Sequence, residues 1–198
     1  MTRDLMAKLI GVSCLLTAGE RWVLEVQKPA KWVRRPGRPP ILGLGCIGGK
    51  IEPGETPVEA LRREAMEEIG RGLVLRSAER TVTVSPSGTA VLDDIQLDGL
   101  RPAMVWEGVG PGLLPGRKVA VFLGEVIGRA RPVDLPAVAL TSCGLLPAVG
   151  SGQMTLDEFR RSGAEVRSRI DLPTDARLAL VGTLDVVHHL RGIGYSLL

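Results

Sequence analysis

Residues 48–70, GGKIEPGETPVEALRREAMEEIG, decide how this chain is read. Thr56 is a good helix N-cap, Pro57 suits the first helical position, and Glu59 stands three residues past the cap, completing a capping box. Val58, Leu61, Ala65 and Ile69 recur at helical spacing as a buried stripe, and Gly70 sits where a left-handed stop is expected. The spacing therefore predicts a helix from Pro57 to Ile69. Glu64, Glu67 and Glu68 project from one side of it, beside the apolar stripe rather than opposite it. Like charges three and four residues apart repel. Carboxylates held together and partly desolvated either take up a proton or bind a cation. Hard oxygen donors of this kind suit Mg²⁺, with Mn²⁺ as its substitute.

A bare Glu-x-x-Glu-Glu face on a helix is usually only solvated. The residues around this one argue otherwise. Gly49, Glu55, Arg63, Glu64, Glu67, Glu68 and Gly70 fall at fixed separations, and chance agreement at a given start is on the order of one in 10⁸. The stretch resembles the Nudix box, G-x5-E-x7-R-E-U-x-E-E-x-G-U, where U is a bulky aliphatic residue. It departs from that pattern at Ala65, which is small, and at Arg71, which is not aliphatic. Neither departure removes an oxygen donor.

The resemblance implies an α+β fold, a Nudix-type α/β/α sandwich with a mixed β-sheet, and one domain over residues 1–198. It implies a hydrolase of the MutT-like kind: a metal-dependent pyrophosphohydrolase that cleaves a nucleoside diphosphate linked to X into a nucleoside monophosphate and phosphorylated X. By position, Glu64, Glu67 and Glu68 are the implied metal ligands, with the Gly48 carbonyl as a fourth. Arg63 is implied to tie the helix to the loop around Glu55, and Glu64 is the favoured general base among several carboxylates. A further acidic residue downstream often completes the centre in this family. Asp134 is the candidate here, with Glu125 and Asp94 as rivals. Pro86 stands where ADP-ribose enzymes of the family carry a proline. Two other readings stay open: a nucleotide-sensing regulatory protein on the same scaffold, and a pyrophosphohydrolase of RNA 5′ ends.

Outside the box, strands are expected over 7–16 and 21–27, joined by the turn TAGE, and again in ILGLGCIGG (41–49). The basic, Pro-rich segment KPAKWVRRPGRPP (28–40) reads as a loop, whose Arg34, Arg35 and Arg38 are candidate phosphate ligands. Four strand-like runs follow Gly72, with the Gly/Pro-rich link GVGPGLLPGR (108–117) among them, then an irregular stretch to 149. Two helical segments are expected within about 155–192, the first capped by Thr155. Trp32, Trp106 and Tyr195 are candidate base-stacking residues, although core packing is the commoner use. His188, His189 and Cys46 receive no chemistry.

Composition bounds the partners. Hydrophobic residues make up 44% and charged residues 24%, as in a chain with a folded core. The formal net charge of +3 mildly favours a nucleotide-like small molecule and does not by itself imply nucleic acid. Cys14, Cys46 and Cys143 include no C-x-x-C pair, which argues against a disulfide framework or zinc site and fits a reducing cytoplasm. No run approaches the length of a membrane span. A homodimer is suggested by analogy with relatives alone.

Overall fold

The computed structural model describes residues 2–87, 90–108 and 116–195. Most of the Gly/Pro-rich link expected at 108–117 lies outside those residues. A short helix α1 (Thr2–Lys8) leads into β1 (Leu9–Ala18), which turns into β2 (Arg21–Val26). After a 3₁₀ turn at Pro29–Lys31 come β3 (Ile41–Lys50), helix α2 (Pro57–Ile69) and strands β4 (Leu73–Arg76), β5 (Thr81–Val84), β6 (Ala90–Asp93), β7 (Met104–Glu107) and β8 (Lys118–Val126). The remainder is β9 (Ala137–Thr141), α3 (Leu146–Gly150), α4 (Leu156–Arg161), β10 (Glu165–Ser168), β11 (Arg177–Leu180) and α5 (Thr183–Gly192).

The strands form one mixed sheet in the order β10-β9-β2-β3-β1-β8-β7-β5-β6, with β11 added to β3 and β4 to β8. β1 runs parallel to β8 and antiparallel to β3, so the box loop leaves the middle of the sheet. Side chains alternate across each strand. Cys14 and Leu16 of β1 join Val58, Leu61, Ala65 and Ile69 of α2 in one buried cluster. Leu15 points the other way and joins Leu146, Phe159, Leu184 and Leu190 of α3, α4 and α5. Helices thus cover both faces, giving the expected α/β/α sandwich.

The box helix begins and ends where its sequence places it. Thr56 Oγ1 accepts from the Glu59 N–H at 3.3 Å, and Glu59 Oε2 accepts from the Thr56 N–H at 2.9 Å. Gly70 closes it at φ 62°. Replacing Thr56 by Ala should cost about 1 kcal/mol, read as a lower urea midpoint with unchanged slope. An unchanged midpoint would mean the cap contributes nothing.

Sequence and structure part company in the C-terminal third. The first helical segment ends at Arg161, and Glu165–Ser168 is a strand. The second opens as strand β11 and turns helical only at Thr183. The reason is periodicity: Leu178 and Leu180 are buried on alternate positions, the repeat of a strand. The stretch expected to be irregular also contains β9, fully buried in the sheet between β2 and β10.

Candidate active site

Arg63 is the hub of the box. Its Nε and Nη2 grip both carboxylate oxygens of Glu55 at 2.8 and 3.1 Å, and Nη2 also reaches the Lys50 carbonyl at 2.9 Å. Its Nη1 donates to Glu64 Oε1 at 2.9 Å and to Glu67 Oε2 at 3.2 Å. A bidentate guanidinium–carboxylate pair is strong and directional, so Glu55 fixes Arg63 and Arg63 fixes the loop against α2. The hydrogen bonds from Arg63 hold the Glu55 carboxyl below the usual carboxylate range. Arg63 also spreads two of the three box carboxylates along one guanidinium, which offsets the repulsion between them.

Glu68 differs from its neighbours. It is 8% exposed, whereas the Glu67 side chain is 52% exposed. Its Oε2 accepts from the Gly48 N–H at 3.1 Å, so Gly48 meets it through the amide. Burial, then the carboxylates of Glu25 and Glu64, push its pKa up to about 8. Glu64 lies against Gly49: a Cβ on that glycine would come 2.7 Å from Glu64 Oε2. The missing side chain is the cradle in which the carboxylate rests.

Among the described residues, no three of His, Cys, Asp and Glu stand together closely enough to hold a metal ion. Glu64 and Glu67 are turned to Arg63, and Glu68 is turned to Gly48. The donor set nonetheless suits a hard divalent cation: carboxylate oxygens from one helix turn, and a buried Glu68 that forms no ion pair among the described residues, the nearby Lys28 being paired with Asp134.

Asp134 comes close to the box through its backbone. Its N–H donates to the Glu67 carbonyl at 3.1 Å, while Val133 and Arg131 donate to those of Glu68 and Ile69 at 2.9 and 3.3 Å. One loop thereby satisfies the orphan carbonyls at the end of α2. The Asp134 carboxylate pairs with the Lys28 ammonium, and that bond raises the Lys28 pKa. The rivals are engaged elsewhere, Glu125 with Arg76 and Asp94 with Arg101. Arg34 stacks over the Trp32 ring at 5.2 Å, and Arg35 and Arg38 sit in an exposed turn. Among the described residues, none of these arginines bonds to the box.

Two residues at this site were missed in the sequence. Glu25 of β2 is half-buried, and burial raises its pKa to about 7 against the opposing pull of Lys31 and Lys28. Lys28 follows just after the strand. The available signal was a lone carboxylate interrupting the apolar run WVLEV (22–26).

A broad cleft borders this segment, lined by Gln27, Lys31, Pro86, Trp106, Glu107 and His188 among others. Trp106 is anchored there by donating Nε1–H to Thr183 Oγ1 at 3.1 Å. Trp32 donates to the Gln27 carbonyl, and Tyr195 donates to the Ala90 carbonyl at 3.1 Å. Cys46 is buried, which pushes its thiol up to about 12 and leaves it unreactive.

Comparison with known proteins agrees with the box. Residues 8–95 match the family model described as NUDIX domain. A NUDIX hydrolase from Nitrosomonas europaea is 19% identical over 71% of this chain and 76% of its own, with a TM-score of 0.42. A NUDIX-family hydrolase from Clostridium perfringens is 19% identical over 71% of this chain and 83% of its own, at 0.45. A MutT NUDIX hydrolase from Burkholderia pseudomallei is 19% identical over 68% of this chain and 82% of its own, at 0.39. A search of curated proteins finds no match. The domain match encloses every fixed position of the box, which supports assigning residues 8–95 to the Nudix superfamily.

Proposed function

We propose that this protein is a Mg²⁺- or Mn²⁺-dependent pyrophosphohydrolase that cleaves a nucleoside diphosphate linked to X, releasing a nucleoside monophosphate and phosphorylated X. The observation that carries the reading is Glu68: a buried carboxylate one helical turn from Glu64, on a helix whose box keeps every Gly, Glu and Arg position. Glu64, Glu67 and Glu68, with the Gly48 carbonyl, would hold the cation. When bound, it neutralises charge on the diphosphate and acidifies water.

The chain's own residues do the rest. Glu64 Oε1 is held by Arg63, and Oε2 is free of hydrogen bonds among the described residues, so Oε2 is the atom that takes the proton from the attacking water. Glu55 acts at one remove by fixing Arg63. Lys28, Arg34 and Arg35 supply positive charge for the phosphates along the loop after β2. Asp134 holds Lys28 at the end of that loop. The cleft beside Trp106 offers an aromatic face and polar groups to the organic part of the substrate.

A substrate panel with each metal and with a chelator tests this. ADP-ribose comes first, since Pro86 lines the cleft, followed by nucleoside triphosphates and their oxidised forms, dinucleoside polyphosphates, NADH and sugar nucleotides. Metal-dependent release of a monophosphate from one compound far above the rest is expected. Silence across the panel from folded, metal-binding protein would sink the reading.

A further inference from the structure

The glycines of β3 and the stray carboxylate of β2 belong together. Trp22, Leu24 and Val26 pack under α3, α4 and α5, so Val23 and Glu25 face the α2 side of the sheet. Val23 is core there. Glu25 is paired in register with Gly45 of β3 and Val138 of β9. Its side chain lies down on the glycine: a Cβ at position 45 would come 2.6 Å from Glu25 Oε1 and 3.2 Å from its Cγ. Gly43 accommodates Gln27 in the same way, with Cδ at 2.7 Å from such a Cβ, and Gly49 accommodates Glu64. Gly43, Gly45 and Gly49 thus leave room along one face of β3, to either side of the buried Ile47, and Gln27, Glu25 and Glu64 are laid there.

Both halves of this arrangement cost stability. Glycine in a strand interior packs nothing, and a carboxylate among buried neighbours is poorly solvated. The Glu25 carboxylate accepts no hydrogen bond from the protein among the described residues. It stands in electrostatic reach of Glu64 and Glu68 and of Lys28 and Lys31. A Leu at 25 and an Ala at 45 would satisfy the sheet better. The pair makes sense when the carboxylate has a cation to serve.

We propose that Glu25 is a further carboxylate donor of the divalent-cation centre, reaching it from β2 alongside Glu64 and Glu68. This rests on reading the box as that centre, and it brings in a second element of the fold, so that strand and helix grip the cation from two sides.

Mn²⁺ binding to the full chain, followed by the electron paramagnetic resonance of free Mn²⁺, tests the proposal without reference to turnover. Glu25→Gln keeps the shape and removes the charge. Gly45→Ala keeps Glu25 and removes its floor. Each should weaken Mn²⁺ binding by about tenfold or more, with cooperative unfolding retained. Binding curves that superimpose on wild type would overturn the proposal, and if Gly45→Ala does not fold, Glu25→Gln alone decides. Glu68→Gln is the control: if it binds Mn²⁺ like wild type, or if wild type binds none, the box reading falls and Glu25 with it. Loss in Glu68→Gln with no loss in Glu25→Gln defeats the Glu25 assignment only.

Discussion

Glu68→Gln should lose turnover by roughly 10³-fold while melting higher than wild type in metal-free buffer at pH 8. The two effects come from one cause. In the folded chain the Glu68 carboxyl is buried and faces Glu25 and Glu64, which raises its pKa from 4.5 to about 8. The folded state therefore holds this proton more tightly than the unfolded state. Stability from the protonated form is complete below about pH 4.5 and is lost as pH rises through about 8. Glu25, raised to about 7, adds to the same slope. Metal-free wild type should thus melt progressively lower from pH 5 to pH 8, and Mg²⁺ should restore the loss by binding the ionised form. Gln at 68 has no charge to desolvate, so its stability should depend less on pH and respond weakly to the metal. Scanning calorimetry across that range, with and without Mg²⁺, checks the first half, and steady-state kinetics check the second. Parallel stability profiles for mutant and wild type, or retained activity, would defeat the argument.

How far the site could be read beforehand depended on whether its determinants were local. The capping box, the apolar stripe and the stop at Gly70 are short-range features, and each stands where its residues put it. The link between Arg63 and Glu55 was also visible, because both lie within one loop and helix. Pairing across the sheet was not. That Glu25 lies on Gly45, or that Lys28 meets Asp134, follows from register between segments far apart in sequence. A periodicity reading sees Glu25 only as a break in an apolar run. The same limit explains the C-terminal third, where β10 pairs with β9 and β11 with β3. Four-residue strands of that kind are made by their partners, and tertiary context overrides the local helical reading of the flanking residues.

Adjacent glycines at the head of the box should respond in opposite ways to the same change. Gly48→Ala should cost about 4 kcal/mol and lower the melting temperature by roughly 10 °C. Gly48 is at φ +148°, and a Cβ there would press on the Val12 carbonyl oxygen and sit 2.7 Å from the Ser13 Cα. Those atoms are backbone of β1, the strand in register with this end of β3, and they have no rotamer to change. The sheet itself must shift. Gly49→Ala meets only the end of a side chain: its Cβ would fall against the Glu64 carboxylate, 2.7 Å from Oε2. Glu64 can swing away, so the fold survives and the melting temperature should stay within a few degrees of wild type. The carboxylate then leaves the place where Arg63 and the glycine cradle hold it. Displacing a proton acceptor by about 1 Å can cost about 10²-fold in rate, and Gly49→Ala should lose that much in kcat. Thermal melts and kinetics on the two variants separate the roles. An active Gly49→Ala enzyme would remove Glu64 from the proton-accepting role, and an undisturbed melt for Gly48→Ala would mean that β1 yields where its backbone contacts say it cannot.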